Sequence, residues 1–267
     1  MRRLDRLTWL LLGLGVLLLL YAPVASAVND LVTQYRLAQD RTRASQNVAR
    51  TRATQQTRNA QLAANGLVPN APDFTQRFAG AGDLTAHLIG HLAIPRLGLA
   101  IPLFDATTPA LLAQGAGVVP GTSFPLGGPS THSVIAAHNG LPGQPLFTHL
   151  DRLQVADRFS VTVGPQTMTY RVIALQVVRP EQVDAVRLRH GQDLVTLLTC
   201  TPLMQNTHRL LVTGRRTATT PATQAATQHA LARRRQTDWC LLLGLVITGC
   251  TLGGLALRAR AGHTRRP

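Results

Sequence analysis

No lysine occurs in this sequence, and all 27 of its basic residues are arginine. Acids are scarce as well, 12 in 267 residues, so the formal charge is +15. A charge of that size would fit a nucleic-acid partner. Aromatic residues, however, make up only 4% of the chain, and no stacking platform or zinc module accompanies the arginines; without such equipment nothing in the chain reads bases. The basic balance is that of an exterior facing anionic lipid or wall polymer.

Cysteine is nearly absent too. Of three, Cys240 and Cys250 fall inside an apolar segment near the end of the chain, which leaves Cys200 alone in the polar middle. A disulfide framework is thereby excluded, and a thiol-redox role lacks its resolving cysteine. What remains is a single thiol whose purpose has to be chemical or merely structural.

Long uncharged runs are present, and there are two. Residues 8–28 (TWLLLGLGVLLLLYAPVASAV) and 239–257 (WCLLLGLVITGCTLGGLAL) each approach the ~20 residues that span a bilayer's hydrocarbon. Arg2, Arg3 and Arg6 precede the first, and Arg258, Arg260, Arg265 and Arg266 follow the second. Both ends therefore read as cytoplasmic and the middle as exported, although Arg233, Arg234 and Arg235 on the outer side nearly balance the inner cluster. Ala25-Ser26-Ala27 also fits a small-x-small cleavage site, so a cleaved signal competes with an uncleaved anchor. The expected location is the cell membrane with the middle of the chain extracellular. Within that middle, residues 28–238, twenty arginines face eleven acids.

The expected organisation is a membrane anchor or signal segment at 1–28, a helical stalk with a Pro/Gly loop at 29–82, a folded domain at 83–216, a Thr/Ala/Gln linker at 217–238, a transmembrane helix at 239–257 and a basic cytoplasmic tail at 258–267. In the folded domain, short β-branched runs separated by turn residues predict strands at 88–94, 99–104, 116–118, 132–137, 159–163, 168–178, 195–200 and 209–212. Short helical turns are expected at 107–113 and 145–150. Eight strands in so short a span predict a mainly β domain closed into a barrel, because closure removes exposed edges.

A cysteine attacks only as thiolate and needs a cation or base beside it, most often histidine. His138 ends the apolar run from Ser133 and is followed by Asn139-Gly140-Leu141-Pro142, so it stands where a strand gives way to a loop, a common place for catalytic groups. His132 begins the same strand and is expected to face the opposite side; His149 and His208 read as surface or packing residues. Arg209 opens a strand nine residues after Cys200, with a turn between them. If the two strands pair as a hairpin, its guanidinium stands beside the thiol and can donate to an oxyanion.

The segments Thr131-His-Ser-Val-Ile-Ala-Ala-His138-Asn-Gly-Leu-Pro142, Val195-Thr-Leu-Leu-Thr-Cys200-Thr-Pro202 and Asn206-Thr-His-Arg209-Leu-Leu-Val-Thr-Gly214 resemble the signature blocks of sortases, most of all the pilus-assembling class C sortases. Ile89–Pro95 and Gly115–Pro125 match in kind and order. The resemblance implies a closed eight-stranded sortase β-barrel and a cysteine transpeptidase that cuts a Leu-Pro-x-Thr-Gly sorting signal between Thr and Gly. It implies Cys200 as nucleophile, His138 as acid/base and Arg209 as stabiliser. The implied partners are pilin or surface-protein substrates, an amine from a pilin lysine or a peptidoglycan precursor, and the membrane. Alternatives are a wall-anchoring sortase and a non-catalytic, membrane-tethered sortase-like binding module. Asn139 stands where class C often has arginine, and Leu203-Met204-Gln205 replaces a more usual Tyr-Gly-containing turn. Class C lids carry an Asp-Pro-aromatic tip; the nearest segment is Pro72-Asp73-Phe74, where Asp73 would pair with Arg209 and Phe74 would cover Cys200. The alternative for that segment is an ordinary turn with a packed aromatic. No cofactor is expected, and the sparse, scattered acids give no expectation of a metal.

Overall fold

Alternation of apolar and polar residues makes strands only where neighbours can bury the apolar side, and here eight strands bury one another by closing a ring. The computed structural model describes residues 42–65, 83–141, 144–221 and 225. These lie within one compact unit, Thr33–Ala232. The strands are β1 (Leu88–Ile94), β2 (Leu99–Phe104), β3 (Ala116–Val118), β4 (Thr131–Ala136), β5 (Arg158–Val163), β6 (Gln166–Val178), β7 (Asp193–Thr201) and β8 (His208–Thr217). They form a closed barrel in the order β1-β2-β3-β4-β7-β8-β6-β5. All neighbours are antiparallel except β2–β3 and β4–β7, which run parallel. The closed eight-stranded barrel expected from the strand count is the observed architecture.

Strand ends differ from expectation by a few residues, most at β8, which continues to Thr217 through Gly214, Arg215 and Arg216. The polar run looks like a strand end in sequence, but Gly214 faces the barrel interior. A Cβ there would come within 2.6 Å of the Phe159 ring. The bare backbone leaves room for Phe159 and Tyr170, which stack with centroids 5.6 Å apart. Arg216 is drawn in as well, its guanidinium 5.7 Å over the Tyr170 ring and 4.0 Å from Asp193. The Tyr170 hydroxyl donates to Asp193 Oδ1 at 3.0 Å, and burial pushes that phenol well above its ordinary pKa. The expected turn at 107–113 is a short helix, Pro109–Leu112, capped by the Thr108 hydroxyl accepting from the Leu111 N–H. At 145–150 the chain makes turns and then a single 3-10 turn, Leu150–Arg152.

Residues 42–65 form a helix, α1, which lies against the barrel. Ala44 and Val48 are its buried apolar residues, and Val48 packs at Gly164. Polar side chains complete the docking. Asn47 Nδ2 donates to the carbonyls of Thr85 and Leu88 at 2.9 and 3.0 Å. Asn59, buried, makes a two-way pair with Phe124: its Nδ2 donates to the carbonyl at 2.8 Å and its Oδ1 accepts from the N–H at 2.8 Å. The helix can be mostly polar and still packed because its asparagines pair with backbone groups of loops and of the β1 strand end. Among the described residues no helix is long and apolar enough to cross a membrane. The two apolar segments expected to do so lie outside the described residues.

The interior and the outer wall divide the core. Alternate residues of the strands fill the barrel, among them Leu92, Ile135, Val161, Val172, Leu197 and Val212. A second cluster of Val119, Val134, Val186, Leu198 and Leu211 takes the opposite parity on β4, β7 and β8, and so covers their outer face. Val186 comes from the 3-10 turn Val183–Val186 in the β6–β7 connection.

Two outcomes follow from these contacts. Replacing Asn59 with Ala orphans a buried N–H and a buried carbonyl at Phe124, a loss of about 1–3 kcal/mol per unsatisfied group that urea unfolding will register. Across β5, β6 and β8, Arg158, Arg171 and Arg215 stand exposed in one cross-strand row, and like charges placed so oppose folding. Arg171→Thr therefore raises the melting temperature at low salt, and the gain disappears near 1 M salt, where screening acts over about 3 Å.

Candidate active site

Parallel pairing of β4 with β7 brings together two segments more than sixty residues apart in the chain. The register runs from Thr131↔Asp193 to Ala136↔Leu198. Continued two residues past the last pair, it sets His138 abreast of Cys200. On the other side of β7, Cys200 pairs directly with Arg209 of β8. Directly opposed residues share a face with Cβ atoms about 5 Å apart, so thiol and guanidinium stand in one row on adjacent strands, with His138 just past the end of the third. By strand parity that row lies on the outer wall, next to Ala136, Leu198 and Leu211, the near edge of the outer apolar cluster.

Local chemistry ends each strand at the right place. Pro202, which has no N–H to donate, follows Thr201 at the end of β7, and residues 202–207 turn the chain back to His208. Met204 and Asn206 take left-handed conformations in this turn, which the Asn206 N–H closes by donating to the Pro202 carbonyl at 3.0 Å. Cys200 is half-buried and is the free cysteine among the described residues. Arg209 Nη1 donates to the carbonyls of Asn206 and His208 at 2.9 and 3.1 Å, so the turn holds one arm of the guanidinium. Among the described residues no carboxylate forms an ion pair with Arg209.

His138 is exposed, but its backbone is held. Its carbonyl accepts from the Phe147 N–H at 3.0 Å. The preceding carbonyl, of Ala137, accepts from the Thr199 hydroxyl at 2.8 Å, and the following side chain, Asn139, donates from Nδ2 to the Cys200 carbonyl at 2.7 Å. Gly140 then turns the chain at φ +77°, and a side chain there would run into Leu203 of the β7–β8 turn. Leu203 is half exposed and Met204 is 90% exposed, so the rim of the site on this side is apolar and open to solvent.

Of the three residues singled out in the sequence, Cys200 and Arg209 are directly paired, and His138 follows the end of β4, the strand on the other side of β7. Asp73 and Phe74 lie outside the described residues. His149 is exposed; His208 is half-buried and opens β8 beside Arg209, paired with Thr201. His132 corrects the expectation that it points to the opposite side: it shares the parity of Val134 and Ala136 on β4 and so lies on the outer face. His132 is 1% exposed and belongs to a buried chain across the same three strands. Its Nδ1 lies 2.9 Å from the Arg187 carbonyl, which can only accept, so Nδ1 carries the proton and Nε2 accepts from the Thr196 hydroxyl at 2.7 Å. Thr196 is joined in turn to Thr213 at 2.9 Å. Burial holds the His132 imidazole neutral by lowering its pKa, outweighing the opposing effect of the Arg187 carbonyl. Asn139 and Thr199 are the other participants that sequence reasoning did not assign. Among the described residues no group of three or more His, Cys, Asp or Glu is gathered in metal-binding fashion.

The sign of the His132 effect is fixed by its neutral form. Above the ordinary histidine value of 6.5 both folded and unfolded chains leave it unprotonated, and stability is undiminished. Below that value the unfolded chain takes up a proton that the folded one resists, so stability falls down to the lowered folded value. Urea midpoints measured from pH 7.5 to 5 will show this decline, and His132→Gln will flatten it.

Comparison with known proteins agrees with the geometry. A family model described as the sortase domain matches residues 92–217. Sortase C-1 of S. pneumoniae, a solved structure, aligns with TM-score 0.60 and 33% identity over 70% of this chain and 98% of that one. The pilus-related sortase C of group B Streptococcus aligns with TM-score 0.57 and 36% identity over 67% of this chain and 96% of that one. Sortase A of Bacillus anthracis is 28% identical over 127 residues, 48% of this chain. The chain spans 59% of that relative's length.

Proposed function

Because this chain belongs to the sortase family, we propose that it is a membrane-anchored cysteine transpeptidase that cleaves a Leu-Pro-x-Thr-Gly sorting signal between Thr and Gly and passes the acyl group to an amine, polymerising pilin subunits outside the cell. The observation that carries this reading is the Cys200–Arg209 cross-strand pair with His138 abreast of it. Pilin as the substrate is favoured by the likeness to a pilus-related sortase C. The apolar segments at 8–28 and 239–257 favour the membrane.

The chemistry runs in two halves. The Cys200 thiolate adds to the Thr carbonyl carbon, and negative charge develops on the carbonyl oxygen. The Arg209 guanidinium, held through Nη1 by the β7–β8 turn, donates to that oxygen. The carbon–nitrogen bond then breaks, and His138 gives a proton to the departing glycine amine. The resulting thioester on Cys200 is attacked by the incoming amine, His138 takes up the amine's proton, and the thiolate leaves. Attack needs a deprotonated thiol and departure needs a protonated imidazole, so turnover falls at both acidic and alkaline pH.

Incubation of the chain with a Leu-Pro-x-Thr-Gly peptide will give a thioester on Cys200, visible by mass spectrometry. Cys200→Ala abolishes it, and a thioester that survives in this variant overturns the reading. Arg209→Ala lowers the cleavage rate by roughly 100- to 1,000-fold, the usual loss for an oxyanion donor. With a pilin bearing the signal, covalent multimers are the expected product; transfer only to peptidoglycan amines would reassign the chain to wall anchoring. Chelator leaves the rate unchanged.

A further inference from the structure

The strand ladder that aligns His138 with Cys200 stops short of both. Strand β4 ends at Ala136, and the last backbone contact to β7 is the Ala137 N–H donating to the Leu198 carbonyl at 3.2 Å. Beyond it two side chains take over. The Thr199 hydroxyl donates to the Ala137 carbonyl at 2.8 Å, and Asn139 Nδ2 donates to the Cys200 carbonyl at 2.7 Å. One contact falls just before His138 and the other just after it, and the second ends on the cysteine itself.

Asn139 holds this place at a cost. Its Oδ1 is buried and has no hydrogen-bond partner, an exception to the rule that buried polar atoms are paired. The donor and acceptor ends of the amide are not in doubt, because the Cys200 carbonyl can only accept. The half of the carboxamide in use is the donor that reaches the Cys200 carbonyl; the unsatisfied atom beside it calls for an explanation, and a role in placing the site supplies one. No backbone group does this work: past Ala137 the chain turns at Gly140, and β4 has no further rung to offer.

We propose that Asn139 is a positioning residue that extends the β4–β7 ladder past its end and fixes His138 against Cys200. It touches neither substrate nor the reacting atoms; it acts through the separation of two groups that do. This rests on the transpeptidase reading for its consequence in turnover, but the placement of imidazole beside thiol is testable without any substrate. A misplacement of about 1 Å in a reacting pair costs on the order of 100-fold in rate, so losing the contact should be felt in kcat and not in KM.

The test uses the full chain and three variants, Asn139→Ala, Asn139→Asp and Thr199→Val. Asn139→Asp keeps the shape but sets an ionised acceptor against the Cys200 carbonyl, so it should be worse than Ala. Asn139→Ala is expected to lower kcat for a sorting peptide by about 10- to 100-fold with KM within about twofold. Thr199→Val should lose less in the same pattern, since it leaves the Cys200 contact intact. The second readout is the pH profile of Cys200 alkylation by iodoacetamide: Asn139→Ala should move it toward the profile of His138→Ala, with the melting temperature close to wild type.

Unchanged kcat and an unchanged alkylation profile in Asn139→Ala overturn the proposal. So does a fall in kcat that is matched by a fall in melting temperature while the profile stays where it was, because that is the signature of a merely structural contact. If Asn139→Ala does not fold, the same two readouts on Asn139→Asp and Thr199→Val decide. A wild-type chain that forms no thioester refutes the transpeptidase reading instead, and the alkylation profiles then judge Asn139 by themselves.

Discussion

Everything at the site depends on two parallel strands lying side by side. The six paired positions of β4 and β7 convert a long separation in sequence into adjacency, and they do so with an orientation that an antiparallel pair would not give: both strands arrive at the same end of the barrel pointing the same way. His138 therefore follows just beyond the end of β4, and Cys200 stands next to last on β7, at the same end of the barrel. The antiparallel hairpin β7–β8 then returns the chain at that same end, and Arg209, the second residue of β8, stands directly opposite Cys200. One parallel and one antiparallel pairing, sharing β7, are enough to assemble the row.

The same three strands are braced further along. His132, Thr196 and Thr213 form a buried polar chain across β4, β7 and β8. Between this chain and the Cys200–Arg209 pair lie Ala136, Leu198 and Leu211. Polar contacts in a low-dielectric setting are unforgiving of error, so register among these strands is specified twice, once by backbone pairing and once by side chains. A slip of one residue would turn each thiol-side position toward the interior.

Much of this was legible in the sequence and some was not, for physical reasons. The strands announced themselves through β-branched runs between Gly and Pro, and Cys200, His138 and Arg209 stood out because each ended or began such a run. The end of β8 was misjudged because Arg215 and Arg216 look like solvent, whereas Gly214 and the Arg216–Tyr170 contact keep the strand in the sheet. The docking of α1 was hidden because asparagine amides hold loop backbone, and side-chain to backbone contacts leave no periodic trace. His132 was misplaced by a parity error that the strand's period of two corrects. Asn139 was noticed only as a departure from a family pattern; that its amide reaches the Cys200 carbonyl depends on a register no single sequence displays.

Cys200 stands on the outer wall of a barrel whose interior is filled by its own side chains, so the proposed reactive groups and the main core share almost no atoms. Interior residues can be exchanged for others of like volume and shape while the groove stays as it is. Conversely, the connections that wall the groove can be rebuilt without opening a hole in the middle of the molecule. Selection for ruggedness and selection for a new target peptide thus operate on separate sets of positions, and a scaffold divided in this way can diversify in one respect without surrendering the other.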